Sequence, residues 1–147
     1  MKRVVGGDSG EGRKIYYAHA VCIYGSDEEK TQKKSIRKIF PSAVIVNPAS
    51  YRRKYSEWLC EDDRQDRMEF FYNMIDKCDK LVFCRLLGVI TAGVGKEINY
   101  AIANGKPVFE LSGSTSRRMR TKKVKFASPE ETVKLYGYWR RANKTSD

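Results

Sequence analysis

Residues 90 to 111 read ITAGVGKEINYAIANGKPVFEL, an order of residue types that leaves few ways to fold. Gly93 and Gly95 allow a tight turn and a close backbone approach to a ligand. Beyond them Ile98, Ala101 and Ile102 recur at helical spacing, and Gly105 suits the left-handed cap that ends a helix. The segment therefore predicts a glycine turn, a helix over 95 to 104 and a strand over 106 to 111. Glu97 falls in the helix's first turn, where unpaired N–H groups receive anions. It has two readings: a solvated carboxylate that complements the helix dipole, or a carboxylate facing whatever the glycine loop holds.

The rest of the chain continues the same alternation. Residues 14 to 18, 43 to 47 and 80 to 84 are short apolar or β-rich runs of strand length, and residues 124 to 126 suit a short fifth strand. Ser26 or Asp27 caps a helix that runs to about Phe40, where Pro41 stops it. Met68, Phe71, Ile75 and Cys78 lie at steps of three and four, one face of a helix over 64 to 78. SPEE at 128 to 131 is a capping box with Pro129 at the first helical position, ahead of a last helix carrying Val133, Leu135, Tyr136 and Trp139. Strands buried on both faces, alternating with helices, predict an α/β fold: a single-domain doubly wound parallel sheet of about five strands. In such sheets ligands gather beyond the carboxyl ends of the strands. That rule selects residues 16 to 26, 47 to 51 and 85 to 97.

Composition sets the outer limits. At 147 residues, with 41% hydrophobic and 12% aromatic residues, the chain suits one domain with a substantial core. Residues 13 to 140 form that domain, between a glycine-rich flexible leader (1 to 12) and a basic tail (141 to 147). No apolar run is long enough to span a membrane and no signal-peptide core opens the chain, so the expected setting is the cytoplasm, with no membrane partner. Cys22, Cys60, Cys78 and Cys84 form no CxxC pair and His19 is the only histidine, which predicts free thiols and neither a metal nor a cofactor. The acids Glu61, Asp62, Asp63 and Asp66 read as a solvated segment ahead of a helix. Net charge is +11, with ten Lys and Arg against three acids in residues 112 to 147, and Arg117 begins the densest part. Such a run is either solvated surface or a seat for phosphate. No zinc-finger or RNP-like string accompanies it, so a nucleic-acid partner is not favoured.

Three segments together, KIYYAHA (14 to 20), IDKCDKLVFC (75 to 84) and AGVGKEINYAIANGKPV (92 to 108), resemble the nucleoside 2-deoxyribosyltransferase superfamily, which includes 2-deoxynucleoside 5'-monophosphate N-glycosidases. The likeness covers about residues 13 to 139, and GVGKE followed by an alanine-rich helix and GKPV is its most specific part. It implies a deoxyribosyltransferase-like, flavodoxin-like sheet and a small-molecule nucleoside or nucleotide as substrate. It further implies a homodimer whose sites borrow residues across the interface. Glu97 takes the family's nucleophile role by this resemblance, attacking the anomeric carbon to form a glycosyl-enzyme. Tyr16 matches the tyrosine that orients it; its plain alternative is a core strand tyrosine, with Tyr17 on the opposite face.

The chain also departs from that pattern. The transferases carry an aspartate eight residues before the one matching Asp79, where this chain has Phe71, and another six residues before the nucleophile, where it has Thr91. The nucleotide-hydrolase branch has a serine at the second position, contacting the 5'-phosphate, and a threonine hydroxyl is equivalent chemistry. Thr91, the amides of Gly93 to Gly95, Ser112, Ser114 and Arg117 then favour a phosphorylated ligand. His19 is a candidate for phosphate binding or proton donation, against a structural histidine. Tyr51, Arg52, Arg53 and Tyr55, on the expected ligand side, have two readings: stacking on and contacting a base or phosphate, or surface packing. The sequence therefore points to cleavage or transfer at an N-glycosidic bond. Its alternatives are a non-catalytic nucleotide sensor or scavenger, and nucleic-acid binding through the basic C-terminal segment.

Overall fold

The computed structural model describes residues 13 to 61 and 67 to 144. Five strands, β1 (Lys14–Ala18), β2 (Val44–Val46), β3 (Lys80–Phe83), β4 (Val108–Ser112) and β5 (Thr115–Met119), form one sheet in the order β2-β1-β3-β4-β5. β2, β1, β3 and β4 run parallel, with Tyr16 opposite Leu81 and Phe83 opposite Glu110, while β5 returns antiparallel to β4. Among the described residues are five helices: α1 (Asp27–Ile39), α2 (Arg52–Glu61), α3 (Glu69–Asp76), α4 (Ala92–Ala103) and α5 (Pro129–Ala142). None is long and apolar enough to cross a membrane.

The period of two in β1 and β3 assigns their side chains to two cores. Tyr16, Ala18, Leu81 and Phe83 pack with Ile75 of α3 and Val94, Ile98 and Ala101 of α4. Ile15, Tyr17 and Val82 pack on the other face with Ile36 of α1. A third cluster, Ala20, Ile23, Leu86 and Trp139, seats α5 at the carboxyl ends of the strands, and the Trp139 indole donates to Glu28 of α1 at 2.8 Å. Local signals set the helix starts. Ser26 accepts from the Glu29 amide, and Ser128 and Glu131 complete a reciprocal capping box at 2.9 and 3.1 Å. Gly105, at φ 74°, ends α4 as expected.

Four features differ from the sequence reading. Residues 124 to 126 form no strand; the fifth strand is β5, joined to β4 by the two-residue turn Gly113-Ser114, which is too short for a parallel crossover. Its Arg117 and Arg118 concealed it, because charge on an edge strand does not interrupt the ladder and blocks further pairing. α2 occupies residues read as a ligand contact or surface packing after β2, and places Tyr55 over the interior. α4 begins at Ala92 rather than Gly95, so Gly93 and Gly95 lie inside its first turn, and neither has a positive φ. The helix read over 64 to 78 is described only as Glu69–Asp76. The leader, the tail beyond Lys144 and the acids Asp62, Asp63 and Asp66 lie outside the described residues.

Gly95 is held by packing and not by backbone conformation: a Cβ there would clash with the ring and Cβ of Phe126, which crosses the first turn of α4. Gly95→Ala is therefore expected to destabilise the fold by about 1 to 3 kcal/mol in urea denaturation. Phe126→Gly in the same chain, which removes the Cβ as well as the ring, should recover most of that loss. Additive losses in the double variant would show that the contact does not set the residue at 95.

Candidate active site

The strand order reverses direction between β1 and β3, and the carboxyl ends of these two neighbours frame a cleft. Tyr16 lies in β1 on the face that α4 covers. Glu97 lies near the N-terminus of α4, on the side turned toward the sheet, and both are buried. The Tyr16 hydroxyl donates to Glu97 Oε2 at 2.5 Å. Oε1 has no partner among the described residues. Tyr17, one residue on, points through the opposite face and donates to Gln32 of α1.

Glu97 lies on the wall of a cavity of about 220 Å³ together with His19, Thr91 and Gly93. Thr91 is the N-cap of α4 and 2% exposed, yet its hydroxyl makes no capping bond. The Ala92 amide is taken by Thr132 Oγ1 at 2.9 Å, whereas the amides of Gly93 and Val94 precede the first intrahelical bond, Gly95 N–H to Thr91 O. A buried hydroxyl and the positive end of a helix thus lie on the same wall as the carboxyl. Opposite them stand Tyr24, Tyr55, Phe71 and Tyr136, from four separate segments. Tyr55 also stacks or tilts against Trp58, Phe70 and Phe71 at centroid separations of 5.0 to 6.2 Å.

Burial pushes the Glu97 carboxyl up to about 8, and the Tyr16 bond only partly opposes it. Tyr16 is itself raised well above the ordinary tyrosine value, by burial and by Glu97. An acid poised near neutrality in a cleft is characteristic of catalytic groups.

His19 is built differently. Its Nδ1 lies 3.0 Å from the Tyr17 carbonyl and its Nε2 2.8 Å from Glu29 Oε2, so both nitrogens face acceptors and the histidine and Glu29 must share a proton. Burial lowers the His19 pKa, opposed by these acceptors. Burial raises Glu29, but bonds from His19, the Gly25 amide and Asn47 outweigh it and hold the carboxyl below its usual range. The imidazole stacks on the Tyr17 ring at 3.7 Å. His19 is a fixed wall element with its polar atoms occupied.

The remaining sequence candidates lie elsewhere. Gly95 faces Phe126 instead of the cavity. Ser112 lines a separate cleft of about 400 Å³ with Gln32, Arg85 and Glu110. Ser114 is in the β4–β5 turn, and Arg117 pairs with Glu110 across the hairpin at 3.1 Å, beside an Arg85–Glu110 contact of 2.7 Å. None of these three lines the Glu97 cavity. Of the aromatic wall sequence reasoning offered Tyr55 alone for stacking, because Tyr24 and Tyr136 lie 112 positions apart and the three tyrosines share no spacing. It left Phe71 as a departure from a pattern and not as a wall.

The raised Glu97 pKa has a consequence for stability. A folded-state value near 8, above the ordinary 4.5, makes the folded form the better proton binder between those limits. The stabilising contribution is complete below about pH 4.5 and is lost as pH rises through 8. Glu97→Gln keeps an acceptor for Tyr16 and removes the titration. Relative to wild type it should gain about 2 to 4 kcal/mol between pH 5 and pH 9 in chemical denaturation. A constant difference between the two proteins across that range would show that the carboxyl is not held neutral by burial.

Protein-family models, curated proteins and solved structures were all compared with the chain, and none matches.

Proposed function

We propose that this chain cleaves or transfers at the N-glycosidic bond of a nucleoside or nucleoside 5'-monophosphate, with Glu97 as the nucleophile. The observation that carries the reading is the Tyr16–Glu97 contact at the wall of an aromatic-lined cavity beyond the β1 and β3 ends. A carboxylate there can bond to an anomeric carbon as positive charge develops on the sugar, then release it to water or to another base. Tyr16 fixes one carboxyl oxygen and leaves the other to attack. The aromatic wall offers faces for a base, and Thr91 with the α4 amides offers donors to a phosphate or sugar hydroxyl. The resemblance of residues 13 to 139 to the deoxyribosyltransferase superfamily supports the same assignment, and with it a deoxyribosyltransferase-like fold and a homodimer.

The empty site holds a carboxylic acid below about pH 8, and only the ionised form attacks. kcat/KM for an uncharged base should therefore climb with pH and level off near 8. A panel of nucleosides and monophosphates, followed for free base, should show release by wild type and none by Glu97→Gln. Tight nucleotide binding with no base release from any member would assign the protein instead to nucleotide sensing. That second reading draws on the neutral Glu97, which makes an inert wall as readily as a latent nucleophile.

Thr91→Val preserves the side chain's shape and removes the hydroxyl. A hydrogen bond to a charged acceptor contributes roughly 1.5 to 3 kcal/mol, so monophosphate affinity should fall about tenfold or more while nucleoside affinity stays near wild type. Equal losses for both ligands in calorimetry would make Thr91 a turn residue without a phosphate contact.

A further inference from the structure

We propose that the preferred substrate of this site is an N-glycoside whose base is already a cation, a pyridinium or N7-alkylated purinium ring, seated among Tyr24, Tyr55, Phe71 and Tyr136 with its sugar against Glu97. The proposal rests on the glycosidic reading above and narrows it to a leaving-group class. Aromatic faces turned on one small volume are a recognition device for cations, because each ring presents the negative face of its quadrupole. Here four such side chains share a cavity with one carboxyl. The Arg52 guanidinium already lies over the Tyr24 ring at 5.0 Å, so Tyr55, Phe71 and Tyr136 are the rings left to receive a cationic ligand.

The chemistry of departure points the same way. A neutral purine or pyrimidine leaves readily only when a proton reaches its ring nitrogen. Among the described lining residues the titratable groups are His19, Glu97, Tyr24, Tyr55 and Tyr136. His19 has both nitrogens engaged by the Tyr17 carbonyl and Glu29, and Glu97 cannot be nucleophile and acid in one step. Burial raises Tyr24 and Tyr136 above the ordinary tyrosine value, which makes them poor donors, so the Tyr55 hydroxyl is the one donor left among these groups. From α3 and the residue that precedes it the wall presents Phe71 and Met68, neither of which carries an acidic proton.

A cationic base removes the need for a donor. Glu97 bonds to the anomeric carbon, the bond from that carbon to the ring nitrogen breaks, and its electron pair neutralises the ring, which departs uncharged. Water then attacks the same carbon, the ester electrons return to the carboxylate, and water's surplus proton goes to solvent. The cation also favours ionisation of Glu97, against the opposing burial and the neighbouring Tyr16, Tyr24, Tyr136 and His19, so substrate arrival would arm the nucleophile.

Two uncleavable probes test the recognition step. N1-methylnicotinamide, a cation, should bind wild type at least tenfold more tightly than neutral nicotinamide in calorimetry at pH 7. Titration in buffers of different ionisation enthalpy should show proton release with the cation only, lost in Glu97→Gln. Tyr55→Leu should reduce the tenfold preference to less than threefold and Tyr55→Phe should retain it. Should the leucine variant not fold, Phe71→Leu serves the same purpose. In turnover, nicotinamide mononucleotide and N7-methylguanosine 5'-monophosphate should release base with a larger acceleration over their uncatalysed rates than guanosine 5'-monophosphate. Equal binding of the two nicotinamides, with base released from neutral nucleotides, overturns the cationic class and leaves the glycosidic reading standing. Failure of every compound to bind or react overturns both.

Discussion

A carboxyl group lies between the central sheet and α4, among Val94, Ile98 and Tyr16, and among the described residues it accepts a hydrogen bond from the Tyr16 phenol alone. Taking a charge out of water at that depth costs several kcal/mol, so the group stays protonated until something compensates it. The packing of α4 on β1 must therefore keep the Tyr16 hydroxyl and Glu97 in register, because separating them would leave two buried polar groups without partners. The period of two along β1 makes this possible: it sends Tyr16 to the α4 face and Tyr17 to the α1 face, where Tyr17 meets Gln32.

The two sides of the cavity are secured by different forces. On the sheet side, Glu29 receives His19, the Gly25 amide and Asn47, and so ties the end of β1, the N-terminus of α1 and the end of β2 into one hydrogen-bonded unit. On the far side, α2 and α3 meet through Tyr55, Trp58, Phe70 and Phe71, whose ring contacts are each worth about 1 kcal/mol and are tolerant of angle. A ligand entering between them meets one wall fixed by directional bonds and one that can adjust by ring rotation.

The sheet's four parallel strands were legible in the sequence because each is a short apolar run between turn residues, and α1 and α5 were legible because Ser26 and Ser128 carry capping chemistry. β5 was not, since TSRRM lacks the apolar alternation by which strands are read and owes its place to the Gly113-Ser114 turn and to Glu110 opposite Arg117. The start of α4 was misplaced for a related reason: glycine disfavours helices, but here a phenylalanine from a distant loop requires it. Glu97 and Tyr16 were singled out by motif, whereas the aromatic wall is a product of tertiary assembly and leaves no periodic trace. The same limit applies to Ser112, Ser114 and Arg117. Their residue types suit phosphate, but the hairpin that bears them places them away from the Glu97 cavity.

Three glutamates of the fold differ in what surrounds them. Glu29 and Glu110 are both at least partly buried, and both sit below the usual carboxylate range because donors outweigh their burial: His19, an amide and Asn47 for one, Arg85 and Arg117 for the other. Glu97 is the one among them that burial pushes upward. A fold that needed only a hydrogen-bond acceptor for Tyr16 would be better served by glutamine, which makes the bond without a titrating group. Retaining a carboxyl whose one hydrogen bond among the described residues comes from Tyr16 makes stability fall as pH rises through 8. Under the glycosidic proposal such a cost has a use: the carboxylate would form when positive charge arrives beside it and be neutralised again when that charge leaves.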